Sequence, residues 1–157
     1  MEFGGRYLFS APRELVWEAL NDPAKLKGAI PGCQRLDWTG PGKLEMELRV
    51  DFGLLHPVFA GDLELSDIAP AEAYTLSGRG RGGMLGMAQG AARVSLSDAE
   101  EGTILSFTAT GGADNAIMKL GKALLGKTAQ RVIDHFFERF GGTFGSEVTP
   151  LEETGRP

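Results

Sequence analysis

Residues 43–52 read Lys43-Leu44-Glu45-Met46-Glu47-Leu48-Arg49-Val50-Asp51-Phe52, an unbroken alternation of charged and apolar side chains. Successive side chains of a strand point to opposite faces of the sheet, so this stretch predicts a strand with one wet and one buried face. A sheet wet on one side is typically antiparallel and built from hairpins. The same period continues downstream. Leu63 and Leu65 alternate with Asp62, Glu64 and Ser66, and Tyr74 and Leu76 alternate with Thr75, Ser77 and Arg79. Ala92, Val94 and Leu96, then Leu105, Phe107 and Ala109, follow across the turn-forming residues 97–102. Upstream, Glu2 to Phe9 reads as a first strand ending at Ser10-Ala11-Pro12. A short helix follows, with Val16, Trp17 and Leu20 on one face and Arg13, Glu14 and Glu18 toward water, and Asn21-Asp22-Pro23 ends it. A second short helix is predicted from Pro23 to Lys27, and Ile30-Pro31-Gly32-Cys33 breaks the chain after it.

From about Ala113 the period lengthens to 3.6. Ile117, Leu120, Leu124, Thr128, Val132, Phe136 and Phe140 form one stripe, and Gly141-Gly142 supplies a stop. A helix over 114–140 is roughly 40 Å long at 1.5 Å per residue. The reading is therefore an α+β domain over 1–141, with about six to seven antiparallel strands and two short helices after the first. In it a curved sheet wraps the long C-terminal helix, the largest element available to cover the apolar face. Residues 142–157 are polar and aperiodic, and are expected to form a flexible tail.

Strand parity turns Gly61, Gly78 and Gly80 inward beside Leu63 and Leu76. Missing side-chain volume there makes either an apolar cavity between sheet and helix or bulges at which the sheet bends. The candidate ligand-binding residues on the strands are Met46, Leu48, Phe59, Leu63, Leu76 and Phe107. Ile117, Leu120 and Leu124 face them from the helix. Met84 and Met87 interrupt a glycine-rich hairpin, where adaptable methionines suit a cavity mouth, a protein contact or ordinary core packing.

A net charge of -5 excludes a general nucleic-acid binder, which needs a basic face. No apolar run approaches the roughly 20 residues that cross a bilayer. The lone Cys33 and the absence of a leader pattern predict a cytoplasmic protein. The inward positions hold no acid or base. His56 and His135 have no partner at metal-ligand spacing, so neither a catalytic residue nor a metal site is assigned. Gly78-Arg79-Gly80-Arg81-Gly82-Gly83 lacks the Lys-Ser/Thr of a phosphate loop and lies between strands, which favours a bent hairpin. Arg79, Arg81 and Arg93 point outward, either as a solvated face or as a basic patch for an acidic partner or lipid headgroups.

Leu20-Asn21-Asp22-Pro23, Ile30-Pro31-Gly32-Cys33, Leu65-Ser66-Asp67-Ile68, Tyr74-Thr75-Leu76-Ser77-Gly78 and Gly90-Ala91-Ala92-Arg93-Val94, in this order, resemble the CoxG family of carbon monoxide dehydrogenase subunits. That family lies in the helix-grip superfamily of START lipid carriers and polyketide cyclases (SRPBCC). The resemblance implies an accessory protein of a CO dehydrogenase-type molybdenum hydroxylase, aiding membrane recruitment or electron transfer to quinone. Many members of the family continue into a hydrophobic membrane segment, whereas this sequence ends at Gly155-Arg156-Pro157, so peripheral contact at the inner face of the cell membrane is expected instead of a tail anchor. The functional expectation is non-enzymatic binding of a quinone- or lipid-like molecule, with no cofactor. A cyclase- or hydrolase-like enzyme using the same cavity, or a pure protein-interaction module, are the alternatives.

Overall fold

The computed structural model describes residues 2–49, 58–82, 86–113 and 129–151. Strand β1 spans Glu2–Phe9, helices α1 and α2 span Arg13–Leu20 and Pro23–Ala29, and β2 and β3 span Cys33–Gly40 and Lys43–Arg49. Four long strands follow: β4 (Val58–Ala69), β5 (Ala73–Arg81), β6 (Met87–Ala99) and β7 (Gly102–Ala113). Helix α3 (Ala129–Gly142) and a short β8 (Val148–Leu151) complete the described chain. The first fifteen residues of the helix expected over 114–140 lie outside the described residues.

All eight strands form one antiparallel sheet in the order β2-β3-β4-β5-β6-β7-β1-β8. Strands β2 through β7 pair in sequence order as a meander, and β1 joins it through β7. The expectation of a curved, wrapped sheet is corrected here. The sheet is neither curled nor closed, and its two ends, β2 and β8, do not pair. It also has eight strands instead of six to seven. A wrap requires one helix to cover the whole apolar face, but three helices share that task. Val16, Ala19 and Leu20 of α1, Ala29 of α2, and Phe137 and Phe140 of α3 all enter the same core.

The inner face contributes Tyr7, Phe9, Leu36, Leu44, Leu65, Tyr74, Val94, Leu96 and Leu105 to that core. Under α3 the packing is aromatic: Tyr7 stacks on Phe137 at 4.3 Å, and Phe9 meets the Phe140 ring edge-on at 6.0 Å. Offset and edge-on geometries suit the ring quadrupoles. Buried polar groups there are satisfied. The Tyr7 hydroxyl donates to Asp134 Oδ1 at 2.6 Å, and Thr103 Oγ1 donates to the Ala11 carbonyl at 2.8 Å.

The loose tail expected from residue 142 onward is corrected over residues 143–151. Gly145 takes a positive φ of 76°, and Ser146 N donates to the Gly141 carbonyl at 2.8 Å, which reverses the chain after α3. Ser10 then exchanges hydrogen bonds with the returning segment, donating N–H to Glu147 O at 3.0 Å and accepting from Glu147 N at 2.9 Å through its hydroxyl. β8 therefore pairs with β1, Phe9 opposite Val148. Pro150 removes a donor from this outermost strand, a feature suited to an exposed sheet edge.

Candidate functional site

The sheet register assembles rows of inward residues across five strands. One row runs Leu44, Leu63, Gly78, Gly90, Gly111. The next runs Met46, Gly61, Gly80, Ala88, and the one on the other side runs Leu65, Leu76, Ala92, Ala109. On β5, β6 and β7 the middle of the inner face is thus bare backbone and methyl groups, while β3 and β4 raise a wall of long side chains beside it. Leu48 opposite Phe59 closes that wall.

The result is an apolar cavity of about 410 Å³. Its walls are Met46, Leu48, Phe59, Leu63 and Leu76, and its floor is Gly61, Gly78, Gly80, Ala88, Gly90 and Ala92. Small-molecule sites commonly occupy about 300–1,000 Å³. Arg79, Gln89 and Thr110 also border the cavity. Register places their side chains on the outer face, so they present only backbone to it. At Gly80 an added Cβ would meet the Ala60 carbonyl oxygen at 3.7 Å, an ordinary contact, so among the described residues the bare floor there is open space and not a packing necessity.

Of the sequence-predicted site residues, the structure brings together Met46, Leu48, Phe59, Leu63 and Leu76. Phe107 lies apart from the cavity, in the aromatic cluster, 5.5 Å from Phe137 between ring centres. Met87 is half exposed and its register partner is Arg81, which puts it on the outer face. Met84, Ile117, Leu120 and Leu124 lie outside the described residues. Gly90 and the alanines at 88, 92 and 109 join the site without having been expected there. Their signal is present in Ala88-Gln89-Gly90-Ala91-Ala92, where every inward position is small.

Among the described residues the ionisable side chains stand away from the cavity. Burial pushes the Tyr74 phenol up to about 12, and its ring meets Trp17 edge-on at 5.6 Å beneath α1. Burial also raises the Cys33 thiol, whose Sγ donates to the Arg35 carbonyl at 3.4 Å. The Tyr7–Asp134 pair is the polar feature that sequence reasoning missed, since its members are separated by 127 positions and neither belongs to a motif. Among the described residues no group of three or more His, Cys, Asp or Glu could hold a metal ion. A second, larger depression of about 900 Å³ lies on the outer face, between Lys43, Asp62, Glu64, Ser77 and Arg79. Both charge signs line it, as on a solvated sheet face.

The CoxG family model, which describes a carbon monoxide dehydrogenase subunit, matches residues 5–142. The chain belongs to the CoxG family. No curated protein matches it. Among solved structures, a conserved protein from Geobacillus kaustophilus is 24% identical with a TM-score of 0.79, over 94% of this chain and 99% of that one. A protein from Chromobacterium violaceum is 18% identical with a TM-score of 0.66, over 90% and 95% of the two chains. The Zhui aromatase/cyclase of Streptomyces sp. R1128 is 17% identical with a TM-score of 0.61, over 91% and 93%. At these identities the solved structures establish the shared fold of the CoxG chain and nothing about its chemistry. No helix among the described residues of this CoxG-family chain is long and apolar enough to cross a membrane.

Proposed function

We propose that this CoxG-family chain is a non-enzymatic binding protein that holds a hydrophobic small molecule, quinone- or lipid-like, on the glycine-floored inner face of its sheet. The observation that carries the reading is the 410 Å³ cavity, walled by Met46, Leu48, Phe59, Leu63 and Leu76 and floored by backbone. An apolar ring or chain laid on that floor exchanges water for contact along its whole length, and each buried CH₂ is worth about 0.8 kcal/mol. A charged ligand gains nothing there, because its desolvation has no compensating partner among the described residues of the inner face. Family membership supports a role beside a CO dehydrogenase-type molybdenum hydroxylase, with the bound molecule as cargo or electron acceptor and no cofactor resident in the chain. On this reading the protein works in the cytoplasm, within reach of the inner face of the membrane.

Mass spectrometry of an organic-solvent extract from freshly purified protein tests this. A stoichiometric quinone or lipid is expected from the wild type and not from a folded Gly80→Leu variant, whose new side chain occupies the cavity. An extract empty for both, also after incubation with membrane lipids, refutes the binding role.

A further inference from the structure

Strand β2 forms one end of the sheet, and among the described residues no strand pairs with its outer side. Its backbone there can be placed by parity. The Arg49 N–H donates to the Gly32 carbonyl at 2.8 Å, so the odd-numbered residues of β3 turn their backbone groups toward β2. Asp37 and Arg35, opposite Glu45 and Glu47, therefore bond to β3, and Leu36 between them points its N–H and carbonyl away from the sheet. The register is regular from Arg35 to Trp38 and shifts on either side of that stretch.

Charge on this edge is unevenly served. Arg35 alone reaches three carboxylates, Asp37 at 3.6 Å, Glu45 at 3.2 Å and Glu47 at 3.4 Å. Asp37 also stands directly opposite Glu45, and like charges so placed destabilise a strand pair. A second cation beside Asp37 relieves them. Trp38, opposite Leu44 on the inner face, is 42% exposed, a large ring left at the end of the sheet.

We propose that this edge takes β2 of a second copy of the chain, in an antiparallel pair centred on Leu36. The two Leu36 residues exchange both backbone hydrogen bonds, and on either side Arg35 faces the partner's Asp37. These flanking pairs are of the non-hydrogen-bonded kind, in which opposed side chains come closest. Charge fixes the register: centring on Arg35 opposes two arginines, and centring on Asp37 opposes two aspartates. Each Trp38 comes to lie against the partner's strand, where an aromatic ring suits an interface. The contact is self-complementary about a two-fold axis and occupies both β2 edges, while Pro150 blunts the other edge, β8, against further growth. So few paired residues make a small interface, and the dimer is weak and concentration-dependent. Paired residues lie on one face, so both inner faces share a side of the joined sheet and the two cavities open in the same direction.

Sedimentation velocity of the full chain over a concentration series reaching the millimolar range tests it. The wild type is expected to pass from monomer to dimer. Asp37→Arg and Arg35→Asp, both at exposed positions, set like charges opposite in the same register, and each is expected to weaken the dimer about tenfold or more. An equimolar mixture of the two variants restores it as a heterodimer, since every flanking pair is again one arginine and one aspartate. Hydrogen exchange needs no variant: protection of the Leu36 amide in the wild type is expected to rise with protein concentration. A wild type that stays monomeric throughout overturns the proposal, including where a strand of another protein takes the edge instead. So does a dimer undiminished in both single variants, a mixture of folded variants that fails to associate, or Leu36 exchange that is independent of concentration.

Discussion

Gly80→Leu separates an empty cavity from a packed core. Gly80 lies in an extended strand on the cavity floor, and a Cβ there would stand 3.7 Å from the nearest described atom, the Ala60 carbonyl oxygen. Replacing a strand glycine recovers about 0.5–1 kcal/mol of backbone entropy, with alanine as the reference. Full burial of a leucine side chain contributes about 1.5–3 kcal/mol, and a cavity open on one side realises about half of that. The variant is therefore expected to be more stable than the wild type by about 1–2 kcal/mol, a rise in Tm of about 2–4 °C per kcal/mol for a chain of this size. The same side chain removes roughly 55 Å² of apolar contact from a ligand, which at about 25 cal/mol per Å² weakens binding about tenfold. Differential scanning calorimetry and titration with an apolar fluorophore read the two effects. Gly90→Leu is the contrast, because its Cβ would lie 3.0 Å from the Thr110 carbonyl, a backbone atom with little room to give. It is expected to lose stability. If Gly80→Leu also loses stability while fluorophore affinity stays at the wild-type value, the cavity is not the binding site and the reasoning fails.

Tyr7→Phe deletes the 2.6 Å hydrogen bond to Asp134, and a bond to a charged acceptor is worth about 1.5–3 kcal/mol, so the urea midpoint should fall with an unchanged m value. Thr103→Val leaves the buried Ala11 carbonyl without its 2.8 Å donor and is expected to cost about 1–3 kcal/mol in the same assay. Gly102→Ala places a methyl group against the Phe9 carbonyl oxygen at a φ of +146°, and should yield little folded protein on expression. Tyr74 sets a pH limit. Its phenol is raised from 10.0 to about 12 by burial, so between those values the native state keeps a proton that the unfolded chain releases. Stability present below pH 10 is lost as pH rises through about 12, and in denaturant titrations the wild type should show this loss while Tyr74→Phe does not.

The strands were legible where one face is wet and the other buried, as at Leu44, Met46 and Leu48. β2 was not, because register shifts between Cys33 and Arg35 and between Trp38 and Gly40 interrupt its period, and Trp38 stays 42% exposed. β8 was not legible either. A short edge strand needs only a neighbour's free backbone groups, and Val148-Thr149-Pro150-Leu151 shows no apolar face to announce it. The cavity wall followed from parity, as did Gly61, Gly78 and Gly80 on its floor. Gly90 and Gly111 belong to the same rows only through register, which no single strand reveals. The open shape of the sheet depends on how α1 and α2 share the core with α3, a matter of three-dimensional placement that periodicity does not encode.

The position of β1 bears on how the protein is made. Its register partners are the last long strand, Glu2 opposite Thr110, and the short β8, Phe9 opposite Val148. The strand synthesised before all the others is therefore among the last to be paired. Strands β2 through β7 can zip by neighbouring turns as they emerge from the ribosome, whereas Tyr7 and Phe9 must wait for Phe137 and Phe140 before their rings are covered. During that interval an apolar strand hangs unpaired on the nascent chain, a natural target for a holding chaperone and the segment most prone to cross-pair with another copy at high expression.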